Sequence, residues 1–89
     1  MKIPRTRKAR RETAIKLTMA LLETEQQGMR ASDVVYILSQ AMKSRVSANT
    51  LGQFMSPKVR SGEVEKTTTS EGHSFWKLNL AYIPPMETD

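Results

Sequence analysis

The chain contains no cysteine, one histidine (His73), one tryptophan (Trp76), two tyrosines and two phenylalanines among 89 residues. Without cysteine there is no disulfide framework and no thiolate chemistry, and the redox compartment stays open. One histidine among scattered carboxylates is a poor donor set, so no metal site is expected. No apolar run approaches the ~18 residues of a membrane span, and the first residues lack the apolar core of a secretory signal. There is also no glycine-rich phosphate loop, no paired acid and base, and no nucleophile beside an evident base. Neither enzymatic activity nor a cofactor is expected. These absences point to a soluble module with no membrane partner. Its expected location is the cytoplasm, on the nucleoid in a bacterium or phage, or the nucleus in a eukaryote.

What the chain does have is unevenly placed positive charge. The formal net charge is +5, from 14 Lys and Arg against 9 Asp and Glu. Residues 1–11 carry +6 with no acid, residues 12–27 carry −2, residues 28–62 carry +4 and residues 63–89 carry −3. So dense a basic segment repels itself and has little to bury, so residues 1–9 are expected to form a disordered arm. Such an arm suits phosphates, and a second basic region inside the folded part strengthens a nucleic-acid reading over a solubilising tail. At this length one small domain is expected, here residues 10–83, followed by a short tail at 84–89.

Helical periodicity starts near Arg10. Ala14, Leu17 and Leu21, with Ile15, Met19 and Leu22 beside them, form a broad apolar arc, and Glu12, Lys16 and Glu23 share the other face. The spacing predicts a helix over about 10–27, closed by Gly28. Met29-Arg30-Ala31 has the length of a single strand rung. Ser32 is placed to cap a second helix over about 33–43, with Asp33 in its first turn and Val34, Val35, Ile37, Leu38, Ala41 and Met42 on one face. Tyr36 and Lys43 fall on its outer face, where Tyr36 is either an ordinary surface residue or a phosphate or dimer contact. Ser44-Arg45-Val46 links to a third helix capped by Ser47 and lined inside by Ala48, Leu51, Phe54 and Met55. Pro57 lacks an N–H, so this helix is expected to end near Ser56 or to kink there.

Glu63 to Thr68 and Ser74 to Leu80 read as two strands joined by a turn at 70–73. Alternation puts Trp76, Leu78 and Leu80 on one face and Phe75, Lys77 and Asn79 on the other, where Phe75 is either an exposed partner contact or, more simply, packed against the chain end.

The order helix, short strand, helix, link, helix, hairpin resembles the winged helix-turn-helix superfamily. Ser47-Ala48-Asn49-Thr50-Leu51 looks like the start of a recognition helix. Val59-Arg60-Ser61-Gly62-Glu63-Val64 is similar to the step from that helix into the first wing strand. Trp76-Lys77-Leu78 resembles the aromatic-x-Leu of the returning strand. The resemblance covers roughly residues 10–80, and its motifs are degenerate. It departs from the pattern at Pro57 and in the length of the 44–47 link. It implies an α+β fold of three helices and a small antiparallel hairpin, and it implies double-stranded DNA as the partner.

The third helix, over about 47–56, would then enter the major groove. Asn49, Thr50, Gln53 and Ser56 supply base-edge or groove contacts, since Asn and Gln bond adenine at two points and Ser and Thr bond several bases. Arg5, Arg7, Lys8, Arg10, Arg11, Lys43, Arg45, Lys58 and Arg60 are the expected phosphate contacts. Lys66 and His73 are the candidate wing contacts, although Glu63, Glu65 and Glu71 surround them in sequence. Such a protein would serve as a small transcriptional regulator or an architectural factor. Two further readings stand beside it: a winged-helix module that binds another protein, and an RNA binder whose Arg-rich arm folds on its target. A homodimer is compatible with all three.

Overall fold

In the computed structural model, which describes residues 6–83, helix α1 (Arg7–Thr24) begins three residues before its expected start. The cause is Thr6, whose side chain accepts a hydrogen bond from the backbone N–H of Ala9 at 3.0 Å. Such a cap satisfies one of the orphan donors of a first turn and stabilises it by about 1 kcal/mol. Arg7, Lys8 and Ala9 are therefore helical, which corrects the expected disordered arm at those positions. Arg5 and the rest of that arm, and the tail at 84–89, lie outside the described residues. The helix also stops earlier than expected, at Thr24 with Glu25 as its cap, so Gly28 is not the stop just past its end.

Gly28 instead adopts a φ of +103° at the entry to β1 (Met29–Arg30). The chain then passes directly into α2 (Ala31–Met42). Ser32 does not cap this helix. Arg30 occupies the cap position without a side-chain bond, because Ala31 is already buried and forms the first helical residue. Lys43 ends α2 in the left-handed conformation with φ 50°. The short link is then held by the N–H of Val46, which donates to the Ser39 hydroxyl at 3.1 Å.

Helix α3 (Ala48–Ser61) starts where expected. The Ser47 hydroxyl accepts from the Thr50 N–H at 3.1 Å. Pro57 does not end it; the helix continues through Pro57 to Ser61 and stops at Gly62, whose φ of 88° suits a left-handed cap. Asn79 secures the exit from α3, since its side-chain amide donates to the Gly62 carbonyl at 2.8 Å and its backbone N–H to the Glu63 carbonyl at 3.0 Å.

Strands β2 (Val64–Thr68) and β3 (Ser74–Leu78) form the expected hairpin, and β1 extends it into a three-stranded antiparallel sheet of order β1-β3-β2. The chain thus has an α+β fold of three helices and one small sheet. The register pairs Val64 with Leu78, Lys66 with Trp76 and Thr68 with Ser74. Directly paired residues share a sheet face. Val64, Trp76 and Leu78 accordingly turn toward the helices, where Ala14, Leu22, Val34, Leu38, Met42, Val46, Leu51, Phe54 and Met55 complete the core. Each of the larger of these side chains contributes on the order of 1.5–3 kcal/mol by leaving water. Trp76 is fully enclosed, and its indole N–H finds no acceptor among the described residues.

Two details of the hairpin differ from expectation. Leu80 is exposed, because β3 ends at Leu78 and the chain turns over Asn79, whose carbonyl accepts from the Tyr82 N–H at 3.0 Å. Phe75 is half-buried, and its packing partner is Gly28, which lies against the edge of its ring.

Candidate nucleic-acid interface

On α3, steps of about 100° per residue place Asn49, Gln53, Ser56 and Arg60 within about 60° of one another. The opposite face carries Leu51, Phe54 and Met55 into the core, which fixes the helix rotation and turns the polar face outward. On the sheet, the core-facing side continues past Val64 and Trp76 toward the hairpin turn, and there it presents Lys66 and Ser74. These two surfaces meet. Ala48, Asn49, Gly52, Gln53, Ser56, Lys66 and Ser74 line a shallow open groove of about 400 Å³ between α3 and the hairpin.

The groove contains one cation, amides and hydroxyls, and no carboxylate. Alternation along β2 explains this despite the acidic sequence around Lys66. Glu65 pairs with Lys77 and therefore lies on the other face of the sheet. Glu63 is drawn toward Lys58, with 3.0 Å between Oε2 and Nζ. Glu71 sits at the turn, 3.7 Å from the Nε2 of His73, and both side chains are exposed. The acids that surround Lys66 in sequence are thus away from it in space.

Among the expected base-edge residues, Asn49, Gln53 and Ser56 line the groove and Thr50 does not. The Thr50 side chain lies about 100° around the helix from Asn49. Its Oγ1 accepts a hydrogen bond from the Ser47 hydroxyl at 2.8 Å, which makes it part of the cap. Of the two hairpin candidates, Lys66 reaches the groove. His73 is a turn residue, its N–H donating to the Thr69 Oγ1 at 3.1 Å.

The expected phosphate contacts divide in a similar way. Arg7, Lys8, Arg11, Lys43, Arg45 and Arg60 are exposed. Lys58 lies about 180° around α3 from Asn49, on the side facing α1, and is held by Glu63. Arg10 is half-buried, and its Nη1 donates to the Ser44 Oγ at 2.7 Å. That bond joins two segments 34 residues apart.

Sequence reasoning missed Gly52 and Ser74, and it placed Ala48 on the inner face of α3, whereas Ala48 is exposed and lines the groove. A glycine inside a helix costs roughly 0.5–1 kcal/mol relative to alanine, so Gly52 was the available signal. A Cβ built there meets nothing within 4 Å, so the glycine is not required by packing inside the protein. It leaves the groove floor open to the helix backbone.

Among the described residues no helix is long and apolar enough to cross a membrane, and no group of three or more His, Asp or Glu is placed to hold a metal. Comparison with protein-family models, curated proteins and solved structures found no match for this chain.

Proposed function

We propose that this chain is a double-stranded DNA-binding protein of the winged helix-turn-helix kind, acting as a small regulator or architectural factor. In this reading α3 lies in the major groove, the β2–β3 hairpin is the wing, and the surrounding cations contact phosphates. One observation carries it. The groove brings the amides of Asn49 and Gln53 together with Ser56, Ser74 and the Lys66 ammonium, and none of its lining residues is acidic. Amides at this spacing bond adenine edges, while a flanking lysine and hydroxyls suit the adjoining sugar-phosphate strand. The element order, with Gly62 handing α3 over to β2, supports the same reading.

The test is an NMR titration of isotope-labelled protein with a mixed-sequence duplex and, in parallel, with a structured RNA. Amide shifts at Asn49, Gly52, Gln53, Lys66 and Ser74 on duplex addition are the expected result. Asn49→Ala combined with Gln53→Ala should reduce discrimination between duplex sequences more than it reduces overall affinity. Equal or tighter binding of the RNA, or no duplex binding at ~50 mM salt, overturns the reading.

A further inference from the structure

We infer that the first turns of α1 and the link between α2 and α3 form a second DNA contact: a clamp for one phosphate backbone strand, assembled by the Arg10–Ser44 hydrogen bond. This inference rests on the duplex-binding function proposed above. It adds a surface distinct from the groove and a different role for Arg10.

The buried residues of α1 set its rotation. Ala14, Thr18 and Leu22 are its buried residues, and they define the side turned toward the rest of the domain. At about 100° per residue, Arg7, Arg10 and Arg11 fall within about 60° of Ala14, whereas Glu12 falls about 160° away. Three arginines therefore occupy the inward side of the helix. Arg7 and Arg11 are nevertheless exposed, and Ala14 is the first buried residue. The first two turns of α1 thus precede its buried stretch, and from their inner side Arg10 reaches the α2–α3 link.

Arg10 makes that contact. Its guanidinium reaches the Ser44 hydroxyl at 2.7 Å, in a half-buried setting. Ser44 is flanked by Lys43 and Arg45, both exposed. Lys43 is held in the left-handed conformation, so the backbone turns sharply at this point. Arg7 and Arg11 share the helix side of Arg10, and Lys43 and Arg45 adjoin Ser44 in the chain, so the Arg10–Ser44 bond brings two basic segments together. Among the described residues the lysine or arginine paired with a carboxylate is Lys58, with Glu63, so these four cations have no carboxylate partner there. A concentration of unpaired charge costs stability through self-repulsion and is relieved by a polyanion. The occupant that fits is the phosphate backbone of the duplex whose bases meet α3. Four residue steps separate Arg45 from Asn49, which is at most about 14 Å of chain. Clamp and groove therefore engage neighbouring parts of one duplex.

Arg10 is then a positioning residue. Its charge is directed to Ser44, and it holds the arginine-bearing turns of α1 against the link.

Fluorescence anisotropy of the full chain with a mixed-sequence duplex, across a salt series, tests the clamp. The variant pairs are Arg7→Gln with Arg11→Gln and Lys43→Gln with Arg45→Gln. All four positions are exposed, and thermal unfolding of each variant checks that the fold is kept. Each pair should flatten the slope of log affinity against log salt by about 1.8, the share of two phosphates, without changing preference among duplex sequences. Ser44→Ala retains every charge and should weaken binding several-fold, and Arg10→Gln should weaken it similarly. Unchanged slopes in both pairs overturn the clamp while leaving the groove reading intact. Equal or tighter binding by Ser44→Ala overturns the positioning role of Arg10. Failure of the unaltered protein to bind duplex at ~50 mM salt overturns the functional reading itself, before any substitution is made.

Discussion

The ring of Phe75 fills the space where a side chain at Gly28 would stand. A Cβ built on Gly28 would overlap the ring edge and lie 2.9 Å from the Trp76 carbonyl oxygen, on a backbone with φ +103°. This contact sets the approach of the α1–β1 turn to β3, where Met29 pairs with Trp76 and Arg30 with Phe75. Gly28→Ala is therefore expected to destabilise the fold by about 2–4 kcal/mol, combining left-handed strain with overpacking. Thermal unfolding followed by circular dichroism should show a fall in Tm of roughly 10–25 °C. Adding Phe75→Leu should recover part of the loss. If the loss is the same in both backgrounds, ring overlap is not its cause.

The same substitution has the opposite sign at Gly52. Its φ is helical and a Cβ there meets nothing, so Gly52→Ala should raise stability by about 0.5–1 kcal/mol. The added methyl would project at the floor of the groove between Asn49, Gln53 and Lys66. Duplex affinity is expected to fall several-fold even as Tm rises. A variant that is more stable and binds as well as the parent would show that DNA does not approach the α3 backbone at this point.

Lys58 and Arg60 lie two residues apart on α3, with different expected roles. Lys58 is neutralised by Glu63 at 3.0 Å, in a pair whose side chains are 36% and 29% exposed. A pair this accessible is worth at most about 1 kcal/mol after solvent screening. The double change Lys58→Gln with Glu63→Gln should leave both stability and the salt dependence of duplex binding nearly unchanged. Arg60→Gln, on the Asn49 side of α3, should flatten the salt slope by about 0.9. Salt titrations of the two proteins side by side distinguish them. The reverse ranking would place the phosphate path along the α1 side of the helix.

Much of this architecture follows from local sequence. The Ser47 cap needs only a hydroxyl three residues before an N–H donor, and the alternation of 74–78 buries Trp76 wherever a core exists. The outward face of α3 follows from the spacing of Leu51, Phe54 and Met55. The limits of α1 and α3 were less legible. Thr6 starts a helix inside a segment whose charge density argued for disorder, and Pro57 is carried through α3.

By itself, then, the sequence determined periodicity, caps and the sign of charge along each segment, because these depend on residues within a few positions of one another. Tertiary structure decided which charges meet. Lys66 escapes the acids beside it because strand alternation sends Glu65 to the other face, and Lys58, on the α1 side of α3, is paired with Glu63. Arg10 finds Ser44 across 34 residues because the core fixes the rotation of α1 and the turn at Lys43 at the same time. Coulomb and hydrogen-bond energies depend on distance in space. No ordering of charges along the chain specifies that distance until the core has formed.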